Sequence, residues 1–237
     1  MERGGISLKV LLKLSGEVLS GEGKKGYDES VIKHVVSEIK SLVDDGNRVG
    51  VVVGAGNLIR GRDLKNINTI MADQIGMLAT VMNAIYLKEV LEIHGIPSVV
   101  FSSITDLPAV KRLEYGEIEN ALKSGRVVVF GGGTSNPLFT TDTAAALRAA
   151  EMGAKILLKA TKVDGVYSDD PKKNPDAVRF EKLTFDEVIE KDLEVMDLEA
   201  FNMCRRLGIE VVVFNFFVSG NTLRALRGEV GTKITQK

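Results

Sequence analysis

At 237 residues and 44% apolar content, the chain can bury a sizeable core; its net charge of −1 excludes a general affinity for nucleic acid or anionic membrane. One cysteine, Cys204, excludes an internal disulfide and fits a reducing compartment. Met1 to Gly5 leads straight into a strand with no signal-peptide apolar region, and no unbroken apolar run approaches the roughly 20 residues of a bilayer span, so a cytoplasmic location is expected.

The first expected strand, Leu8–Leu12, runs into Lys13-Leu14-Ser15-Gly16. A lysine there, followed by Ser and Gly, can place an ammonium and two or three N–H groups on one phosphate. Gly21-Glu22-Gly23-Lys24-Lys25-Gly26 matches G-x-G-x-x-G, but no strand feeds it and two lysines interrupt it. It reads as a loop before a helix, not as a dinucleotide fingerprint. That helix, Ser30 to Val43, carries Val31, Ile32, Val35, Val36, Ile39, Leu42 and Val43 on one stripe, with Gly46 placed to end it.

The strand Val49–Val53 empties into Gly54-Ala55-Gly56-Asn57-Leu58-Ile59-Arg60-Gly61. Small residues at 54–56 let backbone approach a ligand, and the Arg60 fork could grip a phosphate. The plainer alternative is a tight turn with a surface arginine. A helix from about Ile70 to Ile93 follows. Its apolar residues exceed the single stripe of roughly 100° that one sheet face needs, so a second surface must cover the rest. A neighbouring subunit is the simplest cover; the C-terminal part of the same chain is the alternative.

After strand Ser98–Ser102, strand Val127–Phe130 stops at Gly131–Gly133, a polar loop follows, and Thr140-Thr141-Asp142 opens an alanine-rich helix. A buried strand emptying through glycines into a helix N-terminus makes an anion site, and the loop's hydroxyl and amide groups suit phosphate and sugar oxygens. An ordinary strand–helix crossover with a Thr or Asp cap is the plain alternative. The strand Ile156–Lys159 leads into turn sequences (Asp164-Gly165, Asp169-Asp170-Pro171, Asn174-Pro175) that suggest a second lobe without a clean linker, and Glu210–Phe214 is the last expected strand.

Continuous Val, Ile and Leu runs alternating with helices predict an α/β chain with a largely parallel sheet covered on both faces, and ligands gathered beyond the strands' carboxyl ends. No G-x-x-x-x-G-K-[ST] segment is present, which excludes a Walker-type kinase. His34 and His94 fall far from the glycine loops and read as structural, as does Cys204 as buried filler.

Five segments together carry a resemblance: KLSGE (Lys13–Glu17), GAGNLIRG (Gly54–Gly61), TSNPLFTTDTAA (Thr134–Ala145), KATKVDGVYSDDP (Lys159–Pro171) and VMDLEAF (Val195–Phe201). In this order, and with the MADQIG segment, the chain resembles the bacterial-type UMP kinases of the amino acid kinase family over essentially its whole length. The resemblance implies a single domain with a three-layer αβα sandwich, an acceptor lobe over about residues 1–160 and an ATP-binding lobe over about 161–237. It further implies a homohexamer and transfer of a phosphoryl group from Mg²⁺-ATP to UMP in pyrimidine nucleotide biosynthesis.

The resemblance also implies roles for individual residues. Lys13, Leu14, Ser15 and Gly16 would surround the ATP phosphates, with Gly56 and Arg60 at the phosphoryl path. Thr161, Tyr167 and Asp170 would serve the ATP base and ribose, and Lys159 and Lys162 would reach phosphate. Ala55 stands where many relatives have glycine, but its N–H can still serve the UMP phosphate. Asp73 would contact the UMP ribose, and Thr134, Ser135, Asn136, Pro137, Leu138, Phe139, Thr140 and Thr141 would hold UMP. Asp142 would orient the lysines, making Lys13, Arg60 and Asp142 the catalytic set. GTP activation would involve Gly21, Glu22, Gly23, Lys24, Lys25 and Gly26, and UTP would be an inhibitor.

The acceptor explains why no histidine is needed. A phosphate monoester has a second pKa of about 6, so the attacking oxygen is already deprotonated at neutral pH. The remaining task is to bring two polyanions together and stabilise the transferring group, which lysine, arginine, Mg²⁺ and N–H donors can do. Two other readings stand beside this one. The acceptor could be a carboxylate or carbamate, against which Asp73 and the TSNPLFTTD loop argue. Alternatively, the chain could be a nucleotide sensor without catalysis, against which Lys13, Arg60 and Asp142 argue together.

Overall fold

A computed structural model of the chain describes residues 7–236, other than 24, 60, 105, 106, 170 and 172 and the side chain of residue 62. Nine strands form one sheet: β1 (Lys9–Leu14), β2 (Arg48–Val53), β3 (Ser98–Ser102), β4 (Lys111–Arg112), β5 (Val127–Gly131), β6 (Ile156–Thr161), β9 (Lys182–Thr184), β10 (Glu210–Asn215) and β11 (Thr232–Thr235). Their spatial order is β4-β3-β5-β2-β1-β6-β10-β11-β9, and every pairing is parallel except β10 with β11. Strands β7 (Val166–Tyr167) and β8 (Arg179–Phe180) make a separate antiparallel pair.

Helices lie on both faces because each central strand is apolar on both. Val10, Leu12 and Leu14 of β1 join the core beneath α2 (Glu29–Asp44), α3 (Thr69–Ile93) and α8 (Asn221–Leu226). Leu11 turns the other way, into the core with α4 (Tyr115–Lys123), α5 (Thr141–Met152), α6 (Phe185–Glu190) and α7 (Leu198–Leu207). Each of these leucines is fully buried, which stabilises the fold by about 1.5–3 kcal/mol per side chain relative to exposure. A four-residue helix, α1 (Gly16–Leu19), follows β1 directly.

The packing of α5 decides where its N-terminus ends up. Ala144, Ala145, Ala146 and Ala149 are all buried, and short side chains let the helix lie close on the sheet. At Gly50 of β2 a Cβ would stand 2.5 Å from the Met152 sulfur, so a larger residue there would push the end of that side chain aside. The helix ends at Gly153, whose φ of 71° is the left-handed conformation glycine adopts without cost.

Helix α3 packs its inner face on β3 and β5, with Ala84, Leu87 and Leu91 fully buried. Its opposite side exposes Met71, Ile75, Leu78 and Met82. The C-terminal part of the same chain therefore does not cover that stripe. Although the sequence has no unbroken apolar run of span length, this 25-residue helix reaches the length and mean hydropathy of a membrane span. Its buried Asn83 and Thr80 and its sheet contacts are those of a helix in a protein core.

Candidate active site

The parallel ladder places Lys13 of β1 directly beside Lys159 of β6. Both follow the alternation of Leu11 and Leu157, so both side chains rise on the α5 side of the sheet. Strand order reverses here, since the chain adds β2 and then the β3–β5 pair on one side of β1 and β6 on the other. Ligands of open α/β sheets gather at that kind of crevice.

Asp142, in the first turn of α5, answers both lysines. Its Oδ1 lies 2.7 Å from Lys13 Nζ, and its Oδ2 accepts a 2.5 Å bond from Lys159 Nζ. Burial alone would raise the Asp142 carboxyl, but the two ammonium groups outweigh it and hold it below the ordinary carboxylate range. Burial pulls Lys159 down, helped by the Lys13 charge and opposed by Asp142 and Asp197. Two cations share one carboxylate at a site mostly shielded from water, with Asp197 acting on Lys159 as a second anion.

Helix α5 is held from a second direction. Thr140 caps it, its hydroxyl accepting from the N–H groups of Asp142 (3.0 Å) and Thr143 (3.4 Å). Asp197, the cap of α7, accepts from the hydroxyls of Thr140 and Thr143 and from Ala200 N–H. The segment VMDLEAF contains Asp197, but sequence reading assigned it no role. Its function in tying α7 to the first turn of α5 shows only in three dimensions.

The loops beyond β1 and β2 press together. Gly54 N–H donates to Leu14 O (3.0 Å), and a Cβ on Gly16 would stand 2.3 Å from Gly56 N, so only glycine fits at residue 16. Among the described residues, the N–H groups of Ala55 and Gly56 donate to no protein acceptor. This second glycine segment does not open a helix directly. Turns carry the chain to a 3₁₀ turn at Gly61–Asp63, and α3 begins only at Thr69. The donors there are loop N–H groups, without a helix dipole behind them.

Beyond β5, Gly132 and Gly133 take φ of 85° and 58°. Gly132 N–H donates to Thr80 Oγ1 (2.8 Å), and Arg148, buried in α5, donates from Nη2 to Gly133 O (2.8 Å). Ser135 and Leu138 also hold positive φ, 74° and 71°, which costs a non-glycine residue of order 1–3 kcal/mol each. Asp73 fixes one of them, its Oδ2 accepting from Leu138 N–H (2.8 Å). The Thr134 hydroxyl donates to Asn136 O (2.8 Å) and closes the turn.

These parts enclose a cavity of about 560 Å³. Of the residues singled out in the sequence, Lys13, Ser15, Gly16, Ala55, Gly56, Asp73, Phe139, Thr140, Thr141 and Asp142 line it. Leu14 is buried in its strand, and Thr134, Ser135, Asn136, Pro137 and Leu138 form the adjoining loop without lining the cavity. Arg148, Thr80 and Met77 line it without having been singled out, because nothing in their local sequence separates them from ordinary helix residues; Asp197, the cap of α7, lines it as well.

Farther along, Thr161 ends β6 and its hydroxyl lies against the Val163 and Phe214 carbonyls, while the Tyr167 hydroxyl donates to Asp164 Oδ1 (2.6 Å). Neither lines the cavity. The loop Gly21–Gly26 is tied to the second glycine loop, with Gly26 N–H donating to Asn57 O (2.8 Å). Arg60, Asp170 and Lys24 lie outside the described residues. His34 Nε2 pairs with Phe216 O and His94 Nδ1 with Val90 O, and neither histidine lines the cavity. Cys204 is buried in α7, and burial, with the Asp142 and Asp197 charges, pushes its thiol up to about 12, which removes it as a nucleophile.

Residues 9–215 match the amino acid kinase family. A uridylate kinase from Thermotoga petrophila is 55% identical over 96% of this chain and 99% of its own length. One from Shewanella putrefaciens is 46% identical over 97% and 95%. The crystal structure of UMP kinase from Bacillus anthracis superposes with a TM-score of 0.93 at 34% identity, covering 97% of this chain and 96% of that one. The UMP kinase of Ureaplasma parvum gives 0.92 at 31%, covering 98% and 100%. The chain thus belongs to the amino acid kinase family, among its bacterial-type UMP kinases.

Proposed function

We propose that this chain transfers the γ-phosphoryl group of ATP to UMP, giving ADP and UDP, as a cytoplasmic step of pyrimidine nucleotide biosynthesis. The observation that carries this reading is the Lys13–Asp142–Lys159 cluster, whose Lys13 and Asp142 line one cavity with Ala55 and Gly56, residues whose N–H groups donate to no protein acceptor among the described residues. An oxygen of the UMP phosphate attacks the γ-phosphorus, and the bond from that phosphorus to the bridging oxygen breaks as ADP leaves. The nucleophile is already ionised at neutral pH, so no general base is required. The lysines and N–H donors stabilise the charge spread over the transferring group, and Asp142 holds the lysines in place before substrate arrives.

The acceptor reading rests on Asp73 and the loop beyond β5. One Asp73 oxygen holds Leu138 N–H, and the carboxylate lines the cavity, placed for ribose hydroxyls. Leu14, Ser15 and Gly16 on the first loop, with Arg60, complete the phosphate contacts. Thr161, Tyr167 and Asp170 are assigned to the ATP base and ribose, beyond the β6 end of the sheet.

Magnesium fits here as an ion carried by the triphosphate. Both Asp142 oxygens are committed to lysines, and no group of three His, Cys, Asp or Glu among the described residues is placed to hold an ion. When bound, it would neutralise charge on the β- and γ-phosphate oxygens. A coupled ADP-release assay over nucleoside monophosphates and carboxylates tests the reading. Turnover with UMP is expected, and turnover with a carboxylate alone would refute it.

A second proposal concerns assembly. The exposed stripe Met71, Ile75, Leu78 and Met82 recurs at helical spacing along α3, and a second copy presenting the same stripe would cover it symmetrically. We assign to this face the subunit contact of a homo-oligomer, with a hexamer as its full form, GTP as activator through Gly21–Gly26 and UTP as inhibitor. Light scattering at low protein concentration is expected to show an oligomer that Met82→Asp splits; a stable, active wild-type monomer would defeat the assignment.

A further inference from the structure

Asn83 lies in the middle of α3 and is fully buried, a polar side chain among buried apolar ones such as Ala84 and Leu87. Its amide is completely used. Nδ2 donates to Gly54 O (2.7 Å) and to Asn57 Oδ1 (2.7 Å), while Oδ1 accepts from Tyr27 OH (2.8 Å) and Asn57 Nδ2 (3.2 Å). Asn57, 1% exposed, also donates to Gly26 O (3.0 Å). Two buried amides thus face each other and join α3, the loop beyond β2 and the segment Gly26–Tyr27.

The bond to Gly54 matters because of peptide geometry. The Gly54 carbonyl and the Ala55 N–H belong to one planar trans unit and point in opposite directions. Holding the carbonyl toward α3 fixes the N–H on the other side. Gly54 has no side chain of its own to fix that plane, so contacts to the plane must do so: Gly16 packs against it and Asn83 holds its carbonyl. Only a donor can meet a carbonyl, so the NH₂ end of Asn83 must face Gly54. The Tyr27 hydroxyl donates to the Oδ1 end and holds the amide in that pose.

We propose that Asn83 is a positioning residue for phosphoryl acceptance: by holding the Gly54 carbonyl, it aims the Ala55 N–H at the acceptor phosphate, with Asn57 and Tyr27 setting the amide's orientation. The inference rests on UMP as the acceptor, so wild-type turnover of UMP is measured first. Its absence refutes that reading alone, and the variants are then compared on the acceptor that the wild type does use.

The test compares Asn83→Ala, Tyr27→Phe and a control, Leu91→Ala. Leu91 is fully buried on the same helix and does not line the cavity, so its truncation destabilises α3 without touching Gly54. In Asn83→Ala, kcat/KM for UMP should fall about tenfold or more, with KM for ATP within about twofold, as expected for a misaimed hydrogen bond to a charged group. Leu91→Ala should lower Tm at least as much and leave kcat/KM for UMP within about twofold. Unchanged UMP kinetics in folded Asn83→Ala, or an equal loss in Leu91→Ala, would overturn the proposal. Should Asn83→Ala fail to fold, Tyr27→Phe decides: a loss of roughly twofold or more in kcat/KM for UMP alone supports the proposal, and wild-type UMP kinetics overturn it.

Discussion

Around the cavity, groups are held by partners from distant parts of the chain: Lys13 and Lys159, both largely withdrawn from water, by Asp142, the Thr140 and Thr143 hydroxyls by Asp197, Leu138 by Asp73. In the exposed turns beyond β6, polar side chains are paired with near neighbours in the chain, Tyr167 with Asp164 and Asn174 with Asp169. The difference follows from burial. A charge removed from water costs several kcal/mol unless geometry and partners are fixed, so the fold must determine a buried site before any ligand arrives. Exposed turn groups carry no such requirement, and their bonds are easily exchanged for bonds to a ligand.

This contrast makes its strongest prediction at Lys13. Lys13→Ala should lower kcat on the order of 10²-fold or more, the scale of removing a donor that acts on transition-state charge, while the protein stays folded. Steady-state kinetics on a variant with wild-type circular dichroism checks this, and a wild-type kcat would remove the residue from catalysis. Asp142→Asn should also cost stability, about 3 kcal/mol at neutral pH, because it leaves two buried cations without their anion. The sign follows from the lowered folded pKa of Asp142. Its charge contributes fully above the ordinary carboxylate value of about 4, and the contribution is lost as pH falls through the lower folded value. Urea denaturation from pH 7 to pH 2 should show the gap between wild type and variant closing only at the acid end.

Asp73→Asn tests a residue with one oxygen committed and one side open to the cavity. KM for UMP should rise by the equivalent of about 1–3 kcal/mol with KM for ATP nearly unchanged. Equal shifts for both substrates would show that Asp73 serves only to hold the loop at Leu138. The smallest effect is expected at Tyr167→Phe, where the hydroxyl already has a neighbour and little to lose. KM for ATP should change by no more than about threefold, the equivalent of roughly half a kcal/mol. A tenfold change would mean that the two regions are built more alike than their burial indicates.

The central strands were legible because strands covered on both faces read as continuous Val, Ile and Leu runs. Their ends were not: β1 runs on through Lys13 and Leu14, β6 through Thr161 and β10 through Asn215, since backbone pairing continues where side chains turn polar. The short strands β4, β7, β8, β9 and β11 carry too few residues for any period to show. Within the site, the glycine loops, Lys13 and Asp142 stood out by chemistry and spacing. Arg148, Asp197, Thr80 and Asn83 did not, because a polar residue on a helix is ordinarily a solvated one.

By itself the sequence determined the α/β alternation, the three strand ends that carry glycine, and the family, because these depend on local composition and order along the chain. The tertiary structure alone decided that Lys13 and Lys159 share one carboxylate, that α3 turns Asp73, Thr80 and Asn83 toward three separate loops, and that Met71, Ile75, Leu78 and Met82 face outward. Those facts depend on which strands become neighbours and on the rotation of each helix about its axis. Both are set by packing among residues far apart in the chain, and no local pattern records them.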